Sequence, residues 1–357
     1  MEFDSPMFQS QAWFVAKDTA FAAEYEDAYC VEPQSGRAAI ADGVSSAIFS
    51  GRWARILTRR VVEQPPDLSQ PGSWVNWLAE PRRLWLEDID FPRMPQNQKQ
   101  KLRQVGGSFC TLCWIELFPL PSADDVIPRY LLRSSAMGDS CLLHVRGSEL
   151  LSFFPLTTAE AFDLDPDSIC SVATSRDAGQ ELSVTEFECL DGDIIILVTD
   201  AIAKWMLTAI ESGEMTPWEQ LWRLDEAEWA TAIERLRETN VMKRDDTTMV
   251  VLSVGAATPA WLVPSVEVED FAESCLADAA IADSSTDLIF EGERQMLGEV
   301  LEGDVGCADV KDSDTTTQVE AGPSLEQDDD SSQAIATPAV AETTVSKFDP
   351  SSEPMGA

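Results

Sequence analysis

Acidic side chains recur in one local setting along this chain. Glu26 and Asp27 in "EYEDAY", Asp42 with Gly43 in "AIADGVSS", Asp200 in "IIILVTDAIAKW", and Asp245 with Asp246 in "KRDDTTMVVL" each lie at the end of an apolar stretch or in the turn beside it. Apolar strands hold the backbone rigid at such points, so the acids can gather at one edge of a sheet. Carboxylates brought together repel one another unless cations stand between them, and hard oxygen donors suit Mg²⁺ or Mn²⁺. Gly43 keeps the backbone beside Asp42 open to close approach. Each position taken singly has a simpler role available. Asp-Gly is a common turn pair, and an Asp after a strand often caps a helix, which would account for Asp42 or Asp200. The whole set in this order is not explained that way.

The elements that must hold these acids are mostly strands. Residues 11–17, 28–32 and 37–42 are short, apolar and bounded by turn residues, which predicts three strands. The period then changes. Phe49, Trp53, Ile56 and Leu57 fall on one face and Arg52, Arg55 and Arg59 on the other, which predicts an amphipathic helix over 46–62, stopped by Pro65 and Pro66. Residues 73–90 and 97–104 read as helices. Strands follow at 108–117, 130–137, 140–145, 150–154, 181–188 and 193–199. Helical sequence runs from Asp200 to about 238, broken near Pro217, and a closing strand covers 247–254. "IIILV" and "MVVL" lack alternation and are expected as central strands buried on both faces. Runs of strands, then helices, then one closing strand predict an α+β layered domain rather than repeated βαβ units.

The chain has 357 residues and a formal net charge of -38. Such a charge repels nucleic-acid phosphates and anionic lipid surfaces, so neither is expected as a partner. Residues 257–357 hold 23 Asp and Glu against 3 Lys and Arg, over half of the net charge. Their Ala, Ser, Thr, Asp and Pro composition predicts a largely disordered acidic tail after a domain spanning 1–256. Cys110 and Cys113 make the one CxxC among 8 cysteines, inside strand-like sequence and with no partner CxxC. His144 is the single histidine. Buried free thiols in a reducing compartment are expected, rather than a zinc or redox site. The polar start "MEFDSPMFQS" has no signal-peptide stretch, and the apolar runs fall far short of the about 20 residues that span a bilayer, so a cytoplasmic protein is expected.

In order and spacing, "EYEDAY", "AIADGVSS", "VGGSFCTL", "SSAMGDSCLLHVRGSEL", "LDGDIIILVTDAIAKWML" and "RDDTTMVVL" resemble the successive motifs of the protein phosphatase 2C family, across residues 10–255. "VTDA" where the family usually has "SDG", and "DDTT" where it has "DN", are similar to a bacterial branch. The resemblance implies a sandwich of two antiparallel β-sheets flanked by helices (α-β-β-α), with a binuclear Mn²⁺ or Mg²⁺ site at one edge. It implies metal-dependent hydrolysis of phosphoserine and phosphothreonine by a water shared between the cations. By the family's roles, Asp42 would bridge both cations, and Asp200 and Asp245 would complete the first. Glu26 and the Gly43 carbonyl would reach the second, Asp139 in "MGDS" would help hold a looser third, and Asp27 and Asp246 would stand behind the ligands. For Asp139 a plain turn between two strands is an equal alternative. Phosphoprotein substrates are implied, with a cognate serine/threonine kinase or its targets as partners.

Three positions depart from the family pattern. An Arg that grips the substrate phosphate often precedes the first Glu by four residues, where this chain has Ala22; Lys17 is the nearest upstream base. Val44 stands where eukaryotic members often have His. His144 lies inside a strand, where packing is expected. Two alternatives to the enzyme remain open: a pseudophosphatase that keeps the fold as a binding module, and an acidic cation-binding protein, although the tail lacks the spaced loop of an EF-hand.

Overall fold

The computed structural model describes residues 6–18, 24–121, 127–163, 166–175, 177–213 and 218–256. The acidic tail expected over 257–357, and Ala22, lie outside the described residues. Two five-stranded antiparallel sheets form the centre. The first has the order β1 (Phe8–Val15), β12 (Thr247–Val254), β11 (Ile194–Val198), β7 (Cys141–Arg146), β8 (Glu149–Phe154). The second runs β10 (Ser183–Leu190), β6 (Arg129–Met137), β5 (Leu112–Leu120), β3 (Arg37–Ala41), β2 (Ala28–Glu32). The fold class is α+β, as expected.

The runs without alternation serve two cores at once. Ile195, Leu197, Val250 and Leu252 face the space between the sheets, where they meet Ile40, Ile115 and Leu132. Their neighbours Ile194, Ile196, Val198, Met249 and Val251 face the opposite way. Period-2 geometry sends successive side chains to opposite faces, so a strand covered on both sides must be apolar throughout. The outer face of the first sheet packs with Ile202 and Met206 of α5 (Asp200–Ser212), Trp218 and Leu221 of α6 (Trp218–Leu221), and Trp229 and Ile233 of α7 (Glu226–Glu238). The outer face of the second packs with Trp53 and Leu57 of α1 (Ser50–Glu63), Trp74 of α2 (Ser73–Trp77) and Trp85 of α3 (Ala79–Asp88). The layers are therefore α-β-β-α.

Several boundaries differ from the sequence reading for local reasons. The first helix begins at Ser50 rather than 46. Residues 44–49 form turns held by Ala47 N–H to the Val44 carbonyl and Ser50 Oγ to the same carbonyl, and Phe49 enters the helix in the left-handed region at φ 60°. The helix expected over 73–90 breaks at Leu78 into α2 and α3. The strand expected over 108–117 is divided at Thr111 into β4 (Phe109–Cys110), which pairs with β9 (Ile169–Cys170), and β5. Helix α4 (Gln96–Val105) stands where helix was expected. Among the described residues no helix is long and apolar enough to cross a membrane.

His144 is a packed strand residue. Its Nε2 lies 2.8 Å from Asp193 Oδ2, and its ring stacks on Phe187 at 4.7 Å. Asp193 also accepts two bonds of 2.8 Å from the Arg146 guanidinium and one of 2.8 Å from the Leu190 N–H, bracing β7 against the β10–β11 turn. Burial opposes ionisation of Asp193, but the Arg146 and His144 bonds outweigh it and hold the carboxyl well below the usual range. Removing one member of such a buried set strands the others. Asp193→Ala should therefore lower unfolding stability by about 3 kcal/mol in urea titrations. A loss under about 0.5 kcal/mol would show that the set bears little of the fold.

Candidate metal centre

The edge of the sandwich where β1, β2, β3, β11 and β12 meet their loops gathers the acids. Asp42 follows β3, and its chain is fixed on both sides by Thr111: the Asp42 N–H donates to Thr111 Oγ1 at 3.2 Å, and the Thr111 N–H to the Asp42 carbonyl at 2.8 Å. Gly43 bridges to Cys110, and no side chain would fit there. A Cβ would stand 2.7 Å from the Glu26 carbonyl and 2.8 Å from Ser50 Cβ. Gly51 approaches the same segment, where a Cβ would lie 2.6 Å from the Tyr25 carbonyl. These two glycines let α1 and the β3 end close upon the Tyr25–Glu26 backbone.

Asp246 grips that backbone from the other side. Its carboxylate accepts the Lys17 N–H and the Glu26 N–H, both at 2.7 Å, and is 2% exposed. Arg237 of α7 ties the same region from below, donating to the carbonyls of Ala16, Val15 and Asp245 and to Thr247 Oγ1. The ends of β1 and β12 and the segment entering β2 are thus locked together by buried polar contacts.

Asp27 sits at the centre of this lock. Its Oδ2 accepts hydrogen bonds from the Thr199 hydroxyl at 3.0 Å and the Thr248 hydroxyl at 2.7 Å, with the Tyr25 hydroxyl close by. Asp27 is 1% exposed, no N–H or hydroxyl donates to its Oδ1, and the Asp42 carboxyl lies within hydrogen-bonding reach of the Asp27 side chain. Asp200 opens α5 in the first turn, where the helix dipole favours an anion. Its Oδ1 is likewise buried without a partner. Neither Asp42 nor Asp200 is a cap: α1 begins eight residues beyond Asp42, and the N-cap of α5 is Thr199, whose hydroxyl is turned to Asp27.

The acids feel one another strongly. Burial, then the charges of Asp27, Asp200, Asp245 and Asp139, raise the Asp42 carboxyl well above its ordinary range. Burial raises Asp27 to about 7, helped by the Asp246 and Asp200 charges and opposed by its Thr248 bond. Burial and the Asp200 charge raise Asp139 to about 7 as well. Asp139 lies between β6 and β7, within reach of the charges of Asp200, Lys243 and Asp245.

Two lysines reach the same edge. Lys17 Nζ lies 2.7 Å from Glu26 Oε2, 2.6 Å from Ser45 Oγ and 3.8 Å from Asp245 Oδ1. Lys243 Nζ lies 2.9 Å from Asp200 Oδ2 and 2.8 Å from Asp245 Oδ2. Every candidate ligand named from the sequence is therefore placed at this edge. Lys243, Ser45, Thr199, Thr248 and Arg237 are not singled out by the sequence, where none carries a signal for the contact it makes.

The donor set fits hard divalent cations. Its side-chain donors are all oxygens, they come from separate elements, and two buried carboxylate oxygens have no partner. The one group of three His, Cys, Asp or Glu ligand atoms lying within 4.8 Å of one another among the described residues is His144, Cys189 and Asp193, and its carboxylate is saturated by Arg146, His144 and Leu190.

No protein-family model matches the sequence, and no curated protein matches it. Solved structures do. A structure described as PppA, a key regulatory component of T6SS in Pseudomonas aeruginosa, is 15% identical, covering 70% of this chain and 98% of its own, with a TM-score of 0.40. The catalytic domain of the serine/threonine protein phosphatase PstP, in complex with two manganese ions, is 16% identical over 71% of this chain and 100% of its own, at 0.41. The serine/threonine phosphatase Stp1 from Staphylococcus aureus is 11% identical over 72% and 98%, at 0.46. The chain is similar to these structures.

The raised carboxyls set a pH dependence. Asp27 and Asp139 titrate near 7 in the native chain but near 3.9 when unfolded, so between these values the native state binds more protons. Stability of the metal-free chain then falls as pH rises through that window. Its Tm should be higher at pH 5 than at pH 7.5 in chelator, and Mn²⁺ should raise the Tm more at pH 7.5. Thermal melts at both pH values check this; equal increments would contradict the coupling.

Proposed function

We propose that this chain is a metal-dependent protein serine/threonine phosphatase using Mn²⁺ or Mg²⁺. The observation that supports the reading is that Asp42 is buried within reach of the charges of Asp27, Asp200, Asp245 and Asp139, while Lys17 joins Glu26 to Asp245 and Lys243 joins Asp245 to Asp200. In this reading Asp42 would serve two cations. Asp200 and Asp245 would help hold one, and Glu26 with the Gly43 carbonyl the other. Asp139 would serve a third, more loosely held. Asp27 and Asp246 act as supports: one orients the Thr199 and Thr248 hydroxyls, the other fixes the backbone that carries Glu26. The chemistry that bound divalent cations supply is activation of a water for in-line attack and neutralisation of phosphoryl charge.

The thiols do not compete for the nucleophile's role. Burial pushes Cys113 up to about 12 and raises Cys110, Cys141 and Cys189 as well, so none is a thiolate at neutral pH. A groove of about 370 Å³ beside Glu26 is lined by Ala16, Lys17, Asp18, Glu24, Arg244 and Asp246. In this reading a phosphorylated segment would approach along it, and Lys17 and Arg244 are its cations. The substrate would be a phosphoprotein, with a serine/threonine kinase or its targets as partners. Residues 1–256 would be the catalytic unit and 257–357 an accessory acidic tail.

The test is hydrolysis of an aryl phosphate and of phosphoserine and phosphothreonine peptides with Mn²⁺, with and without chelator. Asp42→Asn should reduce Mn²⁺-dependent turnover by at least about a thousandfold, while the metal-free chain stays folded because a neutral amide replaces a buried carboxyl whose surroundings already disfavour its charge. Near-normal turnover in Asp42→Asn would sink the reading. A chain ending at Ala257 should fold and keep aryl phosphatase activity; an insoluble or inactive product would put part of the tail inside the catalytic unit. The second reading, a pseudophosphatase kept as a binding module, is favoured by one observation: Lys17 and Lys243 already neutralise Glu26, Asp200 and Asp245.

A further inference from the structure

The Lys243 ammonium lies where two carboxylates from different elements turn toward each other. Asp200 comes from the first turn of α5, and Asp245 from the loop between α7 and β12. Lys243 is bonded to Oδ2 of both. Its placement is set locally: the Asp245 N–H donates to the Lys243 carbonyl at 3.1 Å, and Arg237 pins the Asp245 carbonyl from inside the domain. The stem leads outward, and the side chain is 59% exposed, so the ammonium can leave without disturbing the core. Behind it stay the buried, unpartnered Oδ1 of Asp200 and, deeper, that of Asp27.

An ammonium and a divalent cation make different demands on the same oxygens. The ammonium donates hydrogen bonds at close to 3 Å and carries one charge. Mg²⁺ takes the same lone pairs at about 2.1 Å and carries two. Both cannot use Oδ2 of Asp200 and Asp245 together. We propose that Lys243 is a tethered counter-ion occupying a cation position of the acidic edge, so that loading this position requires its displacement.

This inference rests on the metal-dependent reading of the site. Two consequences follow. The metal-free chain is stabilised by a charge it carries itself, which relieves repulsion that would otherwise oppose packing Asp42, Asp200 and Asp245 together. The affinity for cations is correspondingly reduced, because each binding event must first break two charge-assisted hydrogen bonds. The site then loads above a threshold of free cation that this one side chain sets.

The experiment is a titration of the full-length chain with Mn²⁺, followed by calorimetry and by the electron paramagnetic resonance signal of free Mn²⁺, with melts of the metal-free forms. Lys243→Gln should bind Mn²⁺ at least about tenfold more tightly than the wild type and should melt at lower temperature in chelator. Lys243→Arg, which keeps the charge and can still bridge the pair, should keep the weaker affinity. Arg244→Gln removes the same charge one residue along from a side chain bonded to Glu234 and the Lys17 carbonyl. It should tighten binding by no more than about threefold, separating displacement from general attraction. Equal or weaker Mn²⁺ binding in Lys243→Gln than in the wild type overturns the inference and leaves the metal reading standing. Absence of binding in every form overturns both. Binding in Lys243→Gln alone supports the inference and makes the wild type the pseudophosphatase.

Discussion

Burial of several carboxyl groups within reach of one another's charge is the constraint that the acidic edge must meet. Burial, and after it the charge of neighbouring acids, raises Asp42, Asp27 and Asp139, while Lys17 and Lys243 pair with Asp245 and Lys243 with Asp200. Charges placed so close in a low-dielectric edge cost several kcal/mol unless protons, ammonium groups or metal cations offset them. The metal-free chain uses the first two. The proposed activity uses the third.

That condition explains why the surroundings are so heavily tied. Antiparallel strands with apolar residues on both faces give the edge a rigid base, since neither β11 nor β12 can slip by one residue without exchanging two filled cores. Onto that base the chain adds buried polar clamps. Asp246 holds the segments around Lys17 and Glu26, Arg237 holds the ends of β1 and the approach to β12, and Thr199 and Thr248 hold Asp27. Each clamp joins residues roughly two hundred positions apart or crosses between strands and helices, so the acids are set by tertiary contacts rather than by local loop shape.

Much of this was legible in the sequence. Period-2 and period-3.6 patterns located the strands and most helices, and acids at strand ends marked the edge. The rest was hidden for identifiable reasons. The start of α1 depends on Phe49 adopting a left-handed conformation between packed turns, which no periodicity reveals. The two-residue pair β4–β9 is held by Ser108 and Ser171 contacts across the fold and carries no pattern of its own. Lysine side chains are long and exposed in most settings, so nothing in "KRDDTT" shows that Lys243 turns back upon Asp245 and reaches Asp200. Arg237 reads as a basic residue in the last turn of a helix, yet it is 3% exposed and serves the strand ends.

The central claim is that this edge holds divalent cations between its carboxylates. Crystals of the protein grown or soaked in Mn²⁺ and measured near the manganese absorption edge test it directly. The account predicts at least two anomalous peaks within coordination distance of Asp42, one also ligated by Asp200 and Asp245, with the Lys243 ammonium displaced. Crystals saturated with Mn²⁺ that give no peak at Asp42, with Lys243 still bridging Asp200 and Asp245, would contradict it.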